Sequence, residues 1–240
     1  MASGRVSDSL LAGQPVRRCT PGGCTARTAR RRVETSEEGI ILSQLTAEAP
    51  TKGRIVEAAV DLFHRQGYNA TSLRQIADEV GLQVGSLYNH MSSKEQLLFE
   101  IMRDVMEELI EHTEEEMAAA GPDNLDRVRA FLRASIHFHA TRQKQTFIGN
   151  SELRGLSPEH RQEIVELRDR YETILRDALQ AAQDDGSLEV SDVQLATFAA
   201  LALCTSVATW YRPDGRLSLE DLDQMLPQFF GPLCAARQSA

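Results

Sequence analysis

Cysteine is scarce, at four in 240 residues, which is too few for the dense disulfide framework of small secreted domains. Cys19 and Cys24 have no histidine or second cysteine pair nearby, so they lack the ligand set of a zinc site. Long apolar runs are missing too. The nearest approach to the ~18 apolar residues of a membrane span is Val193 to Trp210, and Gln194, Thr197, Thr205, Ser206 and Thr209 interrupt it. Arginines near the N-terminus come without an apolar h-region, so no secretory signal is visible. There is no Gly-rich phosphate loop, nucleophile elbow or HExxH motif. His137 and His139 stand at i, i+2, which on a helix turns the two imidazoles apart and makes a poor metal site. Glu114–Glu115–Glu116 reads as a solvated helix face. These absences point away from an enzyme, a cofactor and a membrane, and toward a cytoplasmic protein.

What is present is ordinary globular composition, 42% hydrophobic and 25% charged, in a length that suits one large domain or two small ones. The net charge of −9 is unevenly spread. Residues 1–50 carry seven arginines against five acids, residues 51–98 carry five charges of each sign, and residues 99–240 therefore hold −11. A comparatively basic first part is compatible with one end meeting a polyanion.

Residues 1–50 mix Gly, Ser, Pro and Thr with the run Arg30–Arg31–Arg32, and read as a disordered basic extension. Either they are an unstructured extension or an upstream start, or they form a basic arm against phosphates or a minor groove. Ile40–Ile41–Leu42 is their one apolar cluster and can seed a short helix. From residue 52 the pattern is helical. Ile55, Ala58, Ala59, Leu62 and Phe63 make an amphipathic stripe that stops near Gly67. Thr71 or Ser72 caps a second helix that buries Ile76, Ala77 and Val80 and ends at Gly81. A third runs from about Gln83 to Asn89. Ser93 with Gln96 reads as a capping box that opens a long helix to about Ala118.

Gly121–Pro122 breaks that helix, and Asn124 caps another with Val128, Phe131, Leu132, Ile136 and Phe138 inward. Residues 143–156 are irregular or a short helix. Ser157–Pro158 starts a helix to about Gln183, which buries Ile164, Leu167, Tyr171, Ile174, Leu175 and Ala178. Ser191 or Asp192 starts one to about Tyr211. Ser218 caps the last, with Leu219, Leu222, Leu226, Phe229 and Phe230 on one side. No strand alternation of any length appears, so the fold class is all-α.

Two short helices joined by a Gly-containing turn and braced by a preceding helix make a helix-turn-helix, whose second helix enters a major groove. Small helical bundles share that spacing. The residues say more. Arg54–Ile55–Val56–Glu57–Ala58–Ala59, Leu62–Phe63, Gly67–Tyr68, Thr71–Ser72, Ile76–Ala77 and Val80–Gly81 resemble the N-terminal domain of the TetR family of repressors. Gly85–Ser86–Leu87–Tyr88–Asn89–His90–Met91, Ser93–Lys94–Glu95 and Leu97–Leu98 continue the resemblance, with Met91 where the family usually has an aromatic.

The resemblance implies a three-helix DNA-binding domain at 51–98 and a helical ligand-binding and dimerisation bundle at 99–240. It implies phosphate contacts for Thr71, Ser72, Tyr88, His90 and Lys94, a guanine contact for Arg74, and groove-facing positions for Gln83, Val84, Gly85, Ser86 and Asn89. Lysine at a helix start is unfavourable for the dipole, and an external anion accounts for Lys94. Tyr88 and His90 can equally close the small core with their polar tips in water. Leu82, Leu87 and Met91 are core.

Within residues 99–240, Ser151–Glu152–Leu153–Arg154–Gly155–Leu156–Ser157–Pro158–Glu159, Leu167–Arg168–Asp169–Arg170–Tyr171, Trp210–Tyr211–Arg212–Pro213 and Gly215–Arg216–Leu217–Ser218 resemble one branch of the family. Its members respond to acyl-CoA thioesters and control fatty-acid, phenylacetate or steroid catabolism. The candidate effector contacts are Arg154, Arg168, Tyr171, Ser206 and Trp210, with ligand access between the helices 158–183 and 192–211. Arg154, Arg168, Arg170 and Arg212 serve equally as CoA-phosphate partners or as members of surface salt bridges. Trp210 either lines the cavity or packs in the core or a dimer. The charge of −11 requires any basic mouth to be local. The last two helices are the most apolar and are expected to pair with their mates, so that a homodimer binds a near-palindromic double-stranded operator as a repressor. Cys204 and Cys234 read as small buried hydrophobes. A regulator with another hydrophobic effector, of the efflux or drug type, and a helical interaction module without DNA binding stand as alternatives.

Overall fold

The computed structural model describes residues 37–230. The expectations for Cys19, Cys24, Arg30–Arg32 and Cys234, and for the side chains of Leu226 and Phe229, lie outside the described residues. Among the described residues every regular element is a helix, with no strand.

The first helix, α1 (Glu37–Gln66), begins well before the residue at which amphipathic periodicity sets in. It buries Ile55, Ala59 and Phe63 at the expected spacing and ends at Gly67, whose φ of 85° is the left-handed turn that glycine takes at least cost. The next helix, α2 (Leu73–Val80), is capped by Ser72 rather than Thr71. Ser72 accepts from the Gln75 amide, and the Gln75 side chain returns the bond to the Ser72 N–H, a complete capping box. At its far end Gly81 sits at φ 73°. The third helix is shorter than expected, a single turn, α3 (Val84–Leu87).

A long helix, α4 (Lys94–Ala119), opens on a half-formed box. Ser93 Oγ accepts from the Gln96 amide, but the Gln96 side chain turns to Glu100. Next come α5 (Asn124–Thr141), capped by Asp123 one residue before the expected Asn124, and α6 (Gln143–Ser151). A 3-10 turn, Leu153–Gly155, leads into α7 (Pro158–Asp184), with Ser157 as cap and proline at its start. Then α8 (Val193–Trp210), capped by Asp192, and α9 (Leu219–Phe230), where Ser218 accepts from the Asp221 amide, complete the described chain.

These helices share two apolar cores, and α4 runs through both. One core gathers Ile55, Phe63, Ile76, Leu87, Leu97 and Leu98 with Ile148, Leu156 and Ile164 from α6, the 3-10 connection and α7. The other gathers Leu109 and Met117 of α4 with Phe131, Leu132, Leu175, Leu179, Cys204 and Phe230. The helix-turn-helix thus closes its core against residues from far along the chain. Leu167 packs on both cores.

Gly155 marks the tightest point of that contact. A β-carbon there would lie 2.9 Å from Tyr68 Cδ1 and 3.1 Å from Leu98 Cδ2. Gly155→Ala is therefore expected to cost ~1–3 kcal/mol by overpacking, read as a lower urea midpoint at unchanged m-value. An unchanged midpoint would show that this seam is slack.

Candidate nucleic-acid interface and effector cavity

The surface around α3 is built from polar side chains with no internal work. Gln83, at its N-cap, makes no side-chain capping bond. Tyr88 is 55% exposed, Gln83, Gly85 and Asn89 are exposed, and Val84, Ser86 and His90 are half-buried. Among the described residues the side chains of Gln83, Ser86, Tyr88, Asn89 and His90 form no hydrogen bond. Leu87 and Met91 are buried and Leu82 is half-buried, which anchors the element from beneath. Arg74, on α2, is exposed and lies 4.0 Å from Asp78, an ion pair too loose and too solvated to hold it.

The neighbouring polar residues are occupied instead in mounting this surface. Arg54 donates to the Val80 carbonyl (2.7 Å) and so ties α1 to the end of α2. Thr71 is 2% exposed, and its hydroxyl donates to the Gly67 carbonyl and accepts from Gln66 Nε2. Lys94 Nζ donates to the carbonyls of Tyr68 (2.9 Å) and Thr71 (2.7 Å) and lies 4.2 Å from the centre of the Tyr68 ring. Partial burial lowers its pKa. In the fold the Thr71 hydroxyl is buried and Lys94 spends two of its three ammonium donors on internal carbonyls, where phosphate contacts were expected of both residues. Ser72 is exposed, with its hydroxyl in the capping box.

On the other side of the same helix start, Glu95 accepts from the Ser157 amide (2.9 Å) and contacts His160 Nδ1 (2.9 Å). Burial works against its charge, but the Ser157 amide and His160 outweigh it and hold the carboxyl below its ordinary range. His160 stacks on Phe99 at 3.9 Å. Glu152 Oε1 accepts from the Tyr68 amide at 3.3 Å.

At the seam of the two cores lies a cavity of about 210 Å³. Its apolar wall is Met102, Met106, Leu109, Phe138, Ile164 and Leu201, from α4, α5, α7 and α8. Polar groups enter from α5, α6 and α7. His139 is 5% exposed, with Nδ1 3.2 Å from Thr146 Oγ1 and no hydrogen-bond partner for Nε2. Burial pushes its pKa down to about 4, so the ring is neutral near pH 7. Tyr171 is buried, and its hydroxyl lies 2.6 Å from Ser135 Oγ. Arg168 donates to the Gly149 carbonyl (2.6 Å), and burial lowers its pKa.

Residues 55–101 match the family model described as bacterial regulatory proteins, tetR family. Residues 121–230 match the one described as tetracyclin repressor-like, C-terminal domain. The chain is 32% identical over 179 residues to the HTH-type transcriptional repressor KstR2 of Mycolicibacterium smegmatis, covering 73% of this chain and 86% of that protein. The chain belongs to the TetR family of DNA-binding transcriptional regulators. It is also 28% identical over 174 residues to the fatty acid metabolism regulator protein of Bacillus subtilis, covering 71% of this chain and 88% of that one. The crystal structure of AibR in complex with isovaleryl coenzyme A and operator DNA superposes with a TM-score of 0.69 at 29% identity, covering 76% of this chain and 99% of that chain.

Of the expected effector contacts, this TetR-family fold brings Arg168 and Tyr171 to the cavity and leaves Arg154, Ser206 and Trp210 outside it. Arg154 is exposed on the 3-10 turn. Ser206 and Trp210 lie together on α8, joined by an indole N–H bond of 3.4 Å to Ser206 Oγ, with Trp210 45% exposed. The buried stripe of α8 is Thr197, Ala200, Cys204 and Val207, which turns both residues away. Arg170 pairs with Glu114 (2.9 Å). The helices α4, α5 and α6 line the cavity together with α7 and α8, between which ligand access was expected.

Sequence reasoning missed Arg54, Glu95, Glu152 and His139 as structural or cavity groups. Only His139 carried a signal, as a histidine amid the apolar residues of α5.

The His139 shift sets a pH dependence. Its pKa is about 4 in the fold against 6.5 for the free side chain, so the unfolded chain takes up the proton first. Stability present above pH 6.5 is lost as pH falls toward 4, by on the order of 3 kcal/mol. Urea midpoints at pH 7 and 4.5 should therefore fall further for the parent protein than for His139→Leu. Equal falls would mean that the ring is not buried neutral.

Proposed function

We propose that this TetR-family protein is a cytoplasmic repressor that binds a near-palindromic operator as a homodimer and leaves it when an acyl-CoA thioester binds the C-terminal domain. In this reading residues 51–98 read DNA and residues 99–240 bind the effector and the second copy. The observation that carries the DNA half is the set of exposed polar side chains on and after α3 that have no internal partner. They stand on an element that Leu87 and Met91 anchor in the core from beneath. A major groove supplies the missing donors and acceptors at base edges, worth ~1–3 kcal/mol of discrimination per good bidentate contact. In that arrangement Arg74, Gln83, Val84, Gly85, Ser86 and Asn89 face the groove, and Ser72, Tyr88 and His90 meet phosphate.

The effector half is supported by the cavity at the seam between the two cores and by three resemblances: to a KstR2 repressor, to a fatty acid metabolism regulator and to AibR with isovaleryl coenzyme A. The cavity, at about 210 Å³, holds an acyl group and leaves the nucleotide of CoA outside. Release requires that the thioester bind the non-reading arrangement of the dimer more tightly than the DNA-bound one.

The dimer reading rests on α8. Leu195 is 64% exposed and Phe198 51%, and Leu203 and Trp210 join them on a helix without a charged residue. Such an apolar patch on a water-soluble surface marks an interaction site. Phe198→Glu is expected to convert the dimer to monomer in sedimentation velocity at micromolar concentration and to abolish operator binding with it. A dimer that survives both Phe198→Glu and Leu195→Glu would place the interface elsewhere.

Fluorescence anisotropy on DNA from upstream of the protein's own gene, with and without acyl-CoAs, tests the function. Expected are salt-sensitive binding reversed by a thioester, a uniform loss on all DNA for Tyr88→Phe, and an altered operator preference for Arg74→Ala or Gln83→Ala. Failure to bind across genomic fragments would remove the DNA reading. Binding that no thioester disturbs would remove the effector reading alone.

A further inference from the structure

The cavity holds one uncompensated cation. Its only charged lining residues are Arg168 and Glu172, and Glu172 is already engaged by Arg176 (3.1 Å) and Gln194 (2.9 Å). Arg168 spends one N–H on the Gly149 carbonyl and, among the described residues, pairs with no carboxylate. A guanidinium has five donors and cannot shed its charge near pH 7. Arg168 is half-buried, and a chain that fills the cavity withdraws it further from water, which is costly without a counter-charge. Beside it stand Thr146 and His139, the latter buried with Nε2 unpartnered. The space is limited, about 210 Å³.

Resting on the effector reading above, we propose that the group entering this cavity is a short aliphatic chain that ends in a carboxylate, paired by Arg168. A neutral chain would leave the guanidinium dry and unpaired once it displaced the water. A carboxylate takes the two parallel N–H bonds that the guanidinium fork offers. The shared chemistry is the terminal carboxylate. Its source is either a free short-chain diacid or the half-thioester of one, and titration separates the two. Arg168 also holds Gly149, two residues before the end of α6, and α6 leads to Glu152 and its bond to the Tyr68 amide. The same residue thus reads the ligand and grips the segment that touches the DNA-binding core.

The test is isothermal titration of the full-length dimer, without DNA, with glutaryl-CoA and with 5-methylhexanoyl-CoA, whose terminal isopropyl group has the shape of a carboxylate. Free glutarate and the neutral 5-methylhexanamide are the companion probes. Glutaryl-CoA is expected to bind at least tenfold more tightly than its neutral isostere, and Arg168→Met is expected to reverse the order while Arg168→Lys keeps it. A lost fold cannot produce reversed preference, and the parent protein's ranking is decisive on its own if the methionine variant does not fold. Equal binding, preference for 5-methylhexanoyl-CoA, or binding of no probe overturns the proposal; the first two leave the thioester reading standing. Binding of free glutarate in preference to 5-methylhexanamide, with neither thioester bound, upholds the carboxylate and removes the thioester.

Discussion

Lys94 and Glu95 are neighbours at the start of α4, and each holds a different part of the chain. The ammonium of Lys94 gathers the carbonyls of Tyr68 and Thr71, which close the turn between α1 and α2. The carboxylate of Glu95 takes the amide of Ser157 and the ring of His160, which open α7. Hydrogen bonds that involve a charged partner are the stronger kind, ~1.5–3 kcal/mol each. Both sets leave from one helical turn, whose backbone cannot shift toward one partner without moving from the other. The position of the helix-turn-helix against the rest of the chain depends on this joint.

The joint also explains the shared core. Ile148, Leu156 and Ile164 close over Leu97, Leu98 and the helix-turn-helix because α6, the 3-10 turn and α7 are held there by polar anchors at Glu95 and Glu152. Gly155 lets the 3-10 turn come into contact with the Tyr68 ring. A helix-turn-helix that borrows part of its core from α6 and α7 feels a change in their position. That is the physical requirement for an effector to act at a distance.

Much of this was legible in the sequence wherever a local rule decides the outcome. Helical stripes such as Ile55, Ala59 and Phe63, or Phe131, Leu132 and Ile136, gave the elements and their buried faces. Ser72, Ser157 and Ser218 announced helix starts because an N-cap needs only its own turn. Failures came where a second, distant group decides. Lys94 looked misplaced because its carbonyl partners lie 23 and 26 residues earlier. Thr71 is the exception to distance: Gly67 and Gln66, four and five residues back, claim its hydroxyl, and residue type alone does not announce that turn. Ser206 and Trp210 share a face of α8, but which face of so apolar a helix turns inward is decided by α5 and α7.

The energy scale of the coupling follows from the same bonds. An effector that changes affinity at a second site by ~5–150-fold does so with only ~1–3 kcal/mol of coupling. One charged hydrogen bond is of that size. Arg168 meets the Gly149 carbonyl inside the cavity wall, and Glu152, three residues on, holds the Tyr68 amide. A ligand that takes donors from Arg168 therefore acts on a contact whose worth already matches the free energy a regulator needs. No large rearrangement has to be driven. A charge of −11 on residues 99–240 is no obstacle to this, because the field that matters is that of one half-buried guanidinium over a few ångströms, where distant surface carboxylates are screened beyond about 10 Å at ordinary ionic strength.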